Sequence, residues 1–200
     1  GDDVASGKVF AVELMQALGE ALQAFVARGG LVIGICNGFQ ILVKTGLLPE
    51  AKLLCASERK LTLTHNDSHK FEDRWVWLEA DRRSRCVYAD PGERITLPVA
   101  HGEGKLVAQA PEVLKELSAN GQVAYRYVNE DGSPPSYPAD PNGSMDHVAG
   151  ICDPSGRVFG LMPHPERHFF PYQHPGWTRR PPAREGDGVR IFRRAIQACA

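Results

Sequence analysis

The sequence predicts an α/β domain built on an open, mainly parallel sheet flanked by helices. Three observations lead there. Short β-branched runs alternate with stretches of helical spacing, one run turns into a helix through a cysteine bracketed by glycines, and no fixed-period repeat or low-complexity tract competes with that alternation.

Taken in order, Val9, Val12, Leu14, Met15, Leu18, Leu22, Phe25 and Val26 form a helical stripe from about 9 to 28, closed by Gly29-Gly30. The opening "GDDVASGKV" is no phosphate loop. In G-x-x-x-x-G-K-[ST] the first glycine would fall at Asp2 and the hydroxyl residue at Val9. "LVIGICNGFQILVKTG" follows, with Leu31 to Ile35 as a buried strand. Phe39, Ile41, Leu42 and Val43 then place a helix at 37 to 45, before Lys44, Thr45 and Gly46 stop it.

Further strands are expected at Ala51 to Leu54, Leu61 to Thr64, Trp75 to Glu79, Ile95 to Ala100, Val123 to Val128, Val148 to Ile151 and Val158 to Met162. Further helices are expected around 111 to 118 and at 187 to 198. This mixture implies a parallel core with an added antiparallel portion. Two proline- and glycine-rich segments, 129–146 and 169–188, are long enough to be functional or interface loops.

The 200 residues, 42% hydrophobic and of net charge -1, fit one domain over 1–200 with a core that folds unaided. Nothing in the charge points to nucleic acid. The apolar stretches read as far short of the roughly 20 residues a membrane span needs, so no membrane partner is expected. Five widely spaced cysteines (36, 55, 86, 152, 199) without a C-x-x-C pair indicate reduced thiols and a cytoplasmic protein.

Cys36 sits at the apex of the strand-to-helix turn, between Gly34 and Gly38. Such a turn lifts its side chain clear of the sheet and aims helix amides at whatever that side chain attacks, while the helix N-terminus favours thiolate. A lone free cysteine is ordinarily a small core residue; the glycine-bracketed turn favours a nucleophile. A nucleophile needs a base, and "VFGLMPHPERHFF" offers His164 just beyond a strand. In an extended segment Glu166 projects to the same side and can fix the ring's tautomer. His164, His168 and His174 with Glu166 also invite a metal reading. Pro165 breaks the helix that the i, i+4 pair would need, no cysteine pair lies nearby, and no metal is assigned. "LPVAHGEGKL" leaves two readings open: His101 and the glycines after it expose backbone to a small polar substrate, or they form a plain turn.

"GICNGFQ" and "GLMPHPER" resemble the nucleophile and histidine-glutamate motifs of class I (triad) glutamine amidotransferases, whose sheet is flavodoxin-like. "GDDVASGKVFA", "HNDSHKFEDRWV", "VAHGEGK", "YPADPNGS", "VAGICDPSGRVFGLMPHPER" and "FRRAI" resemble, more narrowly, the glutaminase subunit or domain of phosphoribosylformylglycinamidine synthase in purine biosynthesis. The resemblance runs through nearly the whole chain. It implies that Cys36 attacks the side-chain amide of glutamine, that His164 carries the proton to departing ammonia, and that Glu166 orients His164. It further implies an oxyanion-hole amide at Asn37, a glutamine-binding position at Gln40, and a turn at Gly102 and Glu103 that holds the substrate's α-amino and α-carboxylate groups chiefly by backbone. The implied partner is a large ATP-dependent synthetase subunit, sometimes with a small third subunit. ATP and magnesium would belong to that partner, and no cofactor to this chain. Family members carry a segment before "GDDVASGK" that supplies the first strands and a second oxyanion donor, so the sheet is expected to lack those strands. Two alternatives stand beside this reading: another class I amidotransferase or cysteine amidohydrolase, and a truncated, non-catalytic partner-binding domain.

Overall fold

The computed structural model describes residues 6–199, with side-chain surroundings from residue 10 onward. Val9 of the expected stripe and the opening "GDDVA" lie outside those limits. The first helix, α1 (Ser6–Ala27), turns its Leu22 and Val26 onto the core, while Phe10, Val12, Leu18 and Phe25 are exposed. Its stretch Phe10–Ala27, 18 residues at a mean hydropathy of 1.2, is long and apolar enough by length and composition to cross a membrane. This corrects the expectation of shorter apolar runs: alanines at 11, 17, 21, 24 and 27 fill the gaps between the stripe residues.

A six-stranded sheet is ordered β1 (Val32–Ile35), β8 (Val158–Leu161), β7 (Val148–Cys152), β6 (Val123–Val128), β3 (Glu72–Ala80) and β4 (Arg94–His101). A two-stranded sheet pairs β2 (Leu61–Thr64) with β5 (Lys105–Ala108). The helices α2 (Asn37–Thr45), α3 (Leu47–Glu50), α4 (Pro111–Ala119) and α5 (Gly188–Gln197) complete the α/β fold. Among the described residues only β1 and β8 pair in parallel; every other pairing is antiparallel, so the sheet is mixed rather than mainly parallel. Chain length explains this. Parallel neighbours need a crossover of a dozen or more residues, usually helical, whereas the link from β7 to β8 is the short turn 153–157 and the link from β3 to β4 contains no helix.

The strand expected at Ala51 to Leu54 does not form. Ala51 takes a left-handed conformation (φ 58), and the backbone amides of Leu53 and Leu54 donate to Gln23 Oε1 and Thr45 O, helix partners that replace a ladder. Strand β5 was not anticipated: "KLVA" is too short to show a period.

Buried side chains gather in two clusters. One joins α2, α3, α4 and the small sheet to β7 and β8; the other joins Tyr88, Ile191 of α5 and the strands β3, β4 and β6. Helix α2 lies directly against β8, where a Cβ on Gly160 would stand 2.1 Å from the Phe39 ring. The parallel register Ile35↔Leu161 brings the carboxyl ends of β1 and β8 side by side. In α/β sheets that is where ligands bind.

Candidate active site

Cys36 closes β1 and caps α2, with its own backbone at φ 52, ψ -107. A non-glycine residue at positive φ is strained, and a turn holds it there only when its surroundings over-determine it. Here the Cys36 amide donates to Leu161 O at 2.8 Å and its carbonyl accepts the first α2 bond from the Gln40 amide at 3.1 Å. Gly34 is required, because a Cβ there would lie 2.6 Å from the Gly38 backbone. Gly38 itself faces open space, so the strain rests on the cysteine rather than on the second glycine. The thiol is buried, with Sγ 3.9 Å from Ala100 O of β4.

His164 follows β8. Its amide donates to Pro98 O at 2.8 Å, which fastens this strand end to β4, and its Nδ1 stands 2.6 Å from Glu166 Oε1. The contact is made differently from the extended segment the sequence suggests, because Pro165–Arg167 is a 3₁₀ turn that folds Glu166 back under the ring. Burial alone would push the imidazole's pKa down. Hydrogen bonding to Cys36 and Glu166 and the negative charge on both outweigh burial and raise it to about 9. Its Nε2 has no hydrogen-bond partner of standard geometry, an arrangement common before substrate tightens a site. Glu166 shows the reciprocal effect: burial would raise its pKa, but the bond from His164, with help from Arg167, lowers it.

The remaining candidates lie around these three. Asn37 occupies the first position of α2, and its buried Oδ1 is without a partner. Gln40, one turn on, is buried and donates from Nε2 to Glu103 O at 2.7 Å, which joins the nucleophile's helix to the turn after β4. Gly102 is open on its Cβ side, and Glu103 pairs with His65 at 3.7 Å. His101 is fully buried; its burial first, and the charge on His164 second, lower its pKa to about 4. Of the histidines weighed for metal, His168 spends its Nδ1 on Thr96 O at 2.7 Å and packs edge-on against Trp75, as does His174.

Sequence reasoning missed the residues behind the 102–104 turn. Asn66, Asn142, Ser144 and Tyr127 are buried and hydrogen-bonded around it. The motifs "HND" and "PNGS" carried that signal only as family marks.

The CobB/CobQ-like glutamine amidotransferase domain family matches residues 1–199. Phosphoribosylformylglycinamidine synthase subunit PurQ of Dehalococcoides mccartyi is 48% identical over 198 residues, which are 98% of this chain and 74% of that protein. The subunit of the same name from Archaeoglobus fulgidus is 40% identical, over 98% of this chain and 73% of its own length. Among solved structures, that of PurLQS from Thermotoga maritima superposes with a TM-score of 0.65 at 30% identity, covering 95% of this chain and 72% of that one.

Proposed function

The chain belongs to the CobB/CobQ-like glutamine amidotransferase family, and from that membership we propose that Cys36, His164 and Glu166 perform its chemistry. It is the glutaminase component of phosphoribosylformylglycinamidine synthase, like the relatives that bear that name. The observation that carries the assignment of residues is the convergence of a strained cysteine at the end of β1 with a carboxylate-bound histidine at the end of the neighbouring parallel strand.

The raised pKa of His164 favours an imidazolium at neutral pH, and a thiol attacks through its thiolate form. The thiolate attacks the γ-carboxamide carbon of glutamine. The oxyanion that forms is met by the Asn37 amide, which has no helical acceptor at the first position of α2. The C–N bond then breaks as His164 delivers its proton to the leaving nitrogen, releasing ammonia and leaving a γ-glutamyl thioester. Water, deprotonated by the now neutral His164, attacks the thioester and frees glutamate and the thiolate. Glu166 holds the ring in the tautomer that keeps Nε2 toward the sulphur. Gln40, Gly102 and Glu103 receive the substrate's α-groups.

Ammonia is useful only if it reaches an acceptor, so the glutaminase works as a subunit beside a large ATP-dependent synthetase, with a small third subunit in some assemblies. ATP and magnesium serve the partner's step. Five free cysteines suit a reducing, cytoplasmic setting.

Incubation with a diazo-ketone analogue of glutamine, followed by peptide mass spectrometry, tests the assignment. Labelling is expected on Cys36 alone, blocked by glutamine and lost in His164→Ala. Labelling spread over other cysteines, or undiminished in His164→Ala, would refute it.

A further inference from the structure

The turn after β4 is held by side chains that the chemistry above does not use. Asn66 accepts from the Gly104 amide at 3.0 Å and lies 3.0 Å from His101 Nδ1 through the same Oδ1. Its Nδ2 donates to Lys70 O at 2.9 Å and to His101 O at 2.8 Å. These four contacts fix the orientation of the amide, since only an oxygen can face the Gly104 N–H and only a nitrogen can face two carbonyls. They also fix the tautomer of His101: with Nδ1 donating, Nε2 is a bare, buried lone pair without a partner.

From the other side Asn142 donates from Nδ2 to Gly104 O at 2.9 Å and to Tyr127 Oη at 3.1 Å. Its Oδ1 accepts from the amide and the hydroxyl of Ser144, at 3.0 and 2.7 Å. The Asn66 amide donates to Gly102 O at 2.9 Å, and Asp67 N to Asn142 O at 3.2 Å, so the two asparagine segments also brace each other. The network's side chains are nearly or wholly buried: Asn66 and His101 are 0% exposed, Asn142 and Tyr127 1% and Ser144 4%. The His101 ring packs on the turn so closely that a Cβ at Gly104 would stand 2.3 Å from it.

The carbonyls of Gly102, Glu103 and Gly104 and the amide of Gly104 are thereby all engaged. Among the described residues, the amides of Gly102 and Glu103 have no partner. A turn whose inward groups are satisfied and whose two successive N–H groups are left free is a seat for an anion.

We propose that Asn66, His101 and Asn142 are positioning residues that lock the 102–104 turn in the shape that receives the α-carboxylate of glutamine, and so set selectivity for a substrate with free α-groups. The proposal rests on the glutaminase reading above and deepens it. Neutral His101 suits this place, because burial and the charge on His164 both disfavour a second imidazolium here.

The test uses the full-length protein with its synthetase present and two reagents for Cys36: the diazo-ketone analogue of glutamine, which carries α-groups, and iodoacetamide, which does not. In Asn66→Ala, Asn142→Ala and His101→Leu, KM for glutamine is expected to rise roughly tenfold or more, the loss of a hydrogen bond to a charged group. Labelling by the analogue should slow in proportion, with kcat lowered far less and the iodoacetamide rate within about twofold of the parent. His101→Asn, whose side-chain amide stands where Nδ1 does, should recover most of the loss. Unchanged KM in folded variants, or equal losses with both reagents, would overturn the proposal and make the network plain core. If an alanine variant does not fold, the His101→Leu and His101→Asn pair and the milder Ser144→Ala decide by the same readouts. An unmodified protein whose Cys36 reacts with neither reagent would instead overturn the glutaminase assignment.

Discussion

Loops 129–146 and 169–188 are both rich in proline and glycine, and the fold treats them oppositely. The first exposes Asp131 and Tyr137 at its tip but buries three polar residues of its second half: Asp140, Asn142 and Ser144 are 6, 1 and 4% exposed. The second presents Phe170, Tyr172 and Trp177 to solvent at 52, 62 and 53%. Proline and glycine mark where a chain leaves regular structure, but whether the departing backbone can be buried depends on acceptors and donors that satisfy it. The inner loop supplies them. Asp140 accepts from the amides of Asn142 and Gly143 at 3.3 and 3.0 Å and from His147 at 2.7 Å, while Asn142 and Ser144 serve the Gly104 turn. The outer loop bonds mainly to itself, as in Gln173 Oε1 with the amides of Phe169 and Phe170. It is tied to β4 near its end, where Arg180 and Asp187 reach Thr96.

The largest consequence is local opening. A broad-specificity protease is expected to cut within 169–188 at least about tenfold faster than within 129–146, because few buried contacts oppose opening there. Fragment masses at early times would show it, and a first cut in the inner loop would break the contrast.

Stability gives a second measure. Asp140→Ala strips the buried Asn142 amide and the half-buried Gly143 amide of their acceptor and should cost about 2–4 kcal/mol. Trp177→Ser in the outer loop should stay within about 0.5 kcal/mol of the parent. Urea unfolding of both variants compares them directly, and equal costs would mean that the outer loop is as integral as the inner one.

The smallest effect is in pH. His101 belongs to the network that the inner loop completes, and His164 stands at the root of the outer loop. His164 titrates near 9 in the folded chain against about 6.5 when unfolded, so the stability it contributes is fully present below pH 6.5 and is lost as pH rises through 9. His101 is held near 4. The unfolded chain takes up a proton that the folded one resists, and stability falls as pH drops from about 6.5 toward 4. Urea midpoints across this range should show His164→Ala flattening the alkaline limb and His101→Asn the acid limb. Matching limbs in the two variants would remove the distinction between the sites.

What was legible in the sequence follows the range of the interactions involved. Helix α2 is bounded as expected at 37 and 45, because its apolar spacing and its glycine stop, with Gly46 at φ 85, are local facts. The cysteine elbow is local too. The nearness of His164 and Glu166 was anticipated, but through the wrong geometry, since Pro165 starts a 3₁₀ turn where an extended segment was read. The parallel character of the sheet was overestimated because β-branched runs look the same in either pairing, and only the short β7–β8 link discloses the direction. The link between Asn66 and Gly104 spans 38 residues, as does that between Gly104 and Asn142. No period or spacing rule reaches so far, and a buried asparagine reads in sequence like a loop residue.

The bond from Gln40 Nε2 to Glu103 O has one more implication. It couples the helix that carries the nucleophile to the turn proposed to grip the substrate, so thermal displacement of either is transmitted to the other. An engineer who wished to lengthen or shorten the accepted amide would therefore have to transplant helix and turn as one cassette.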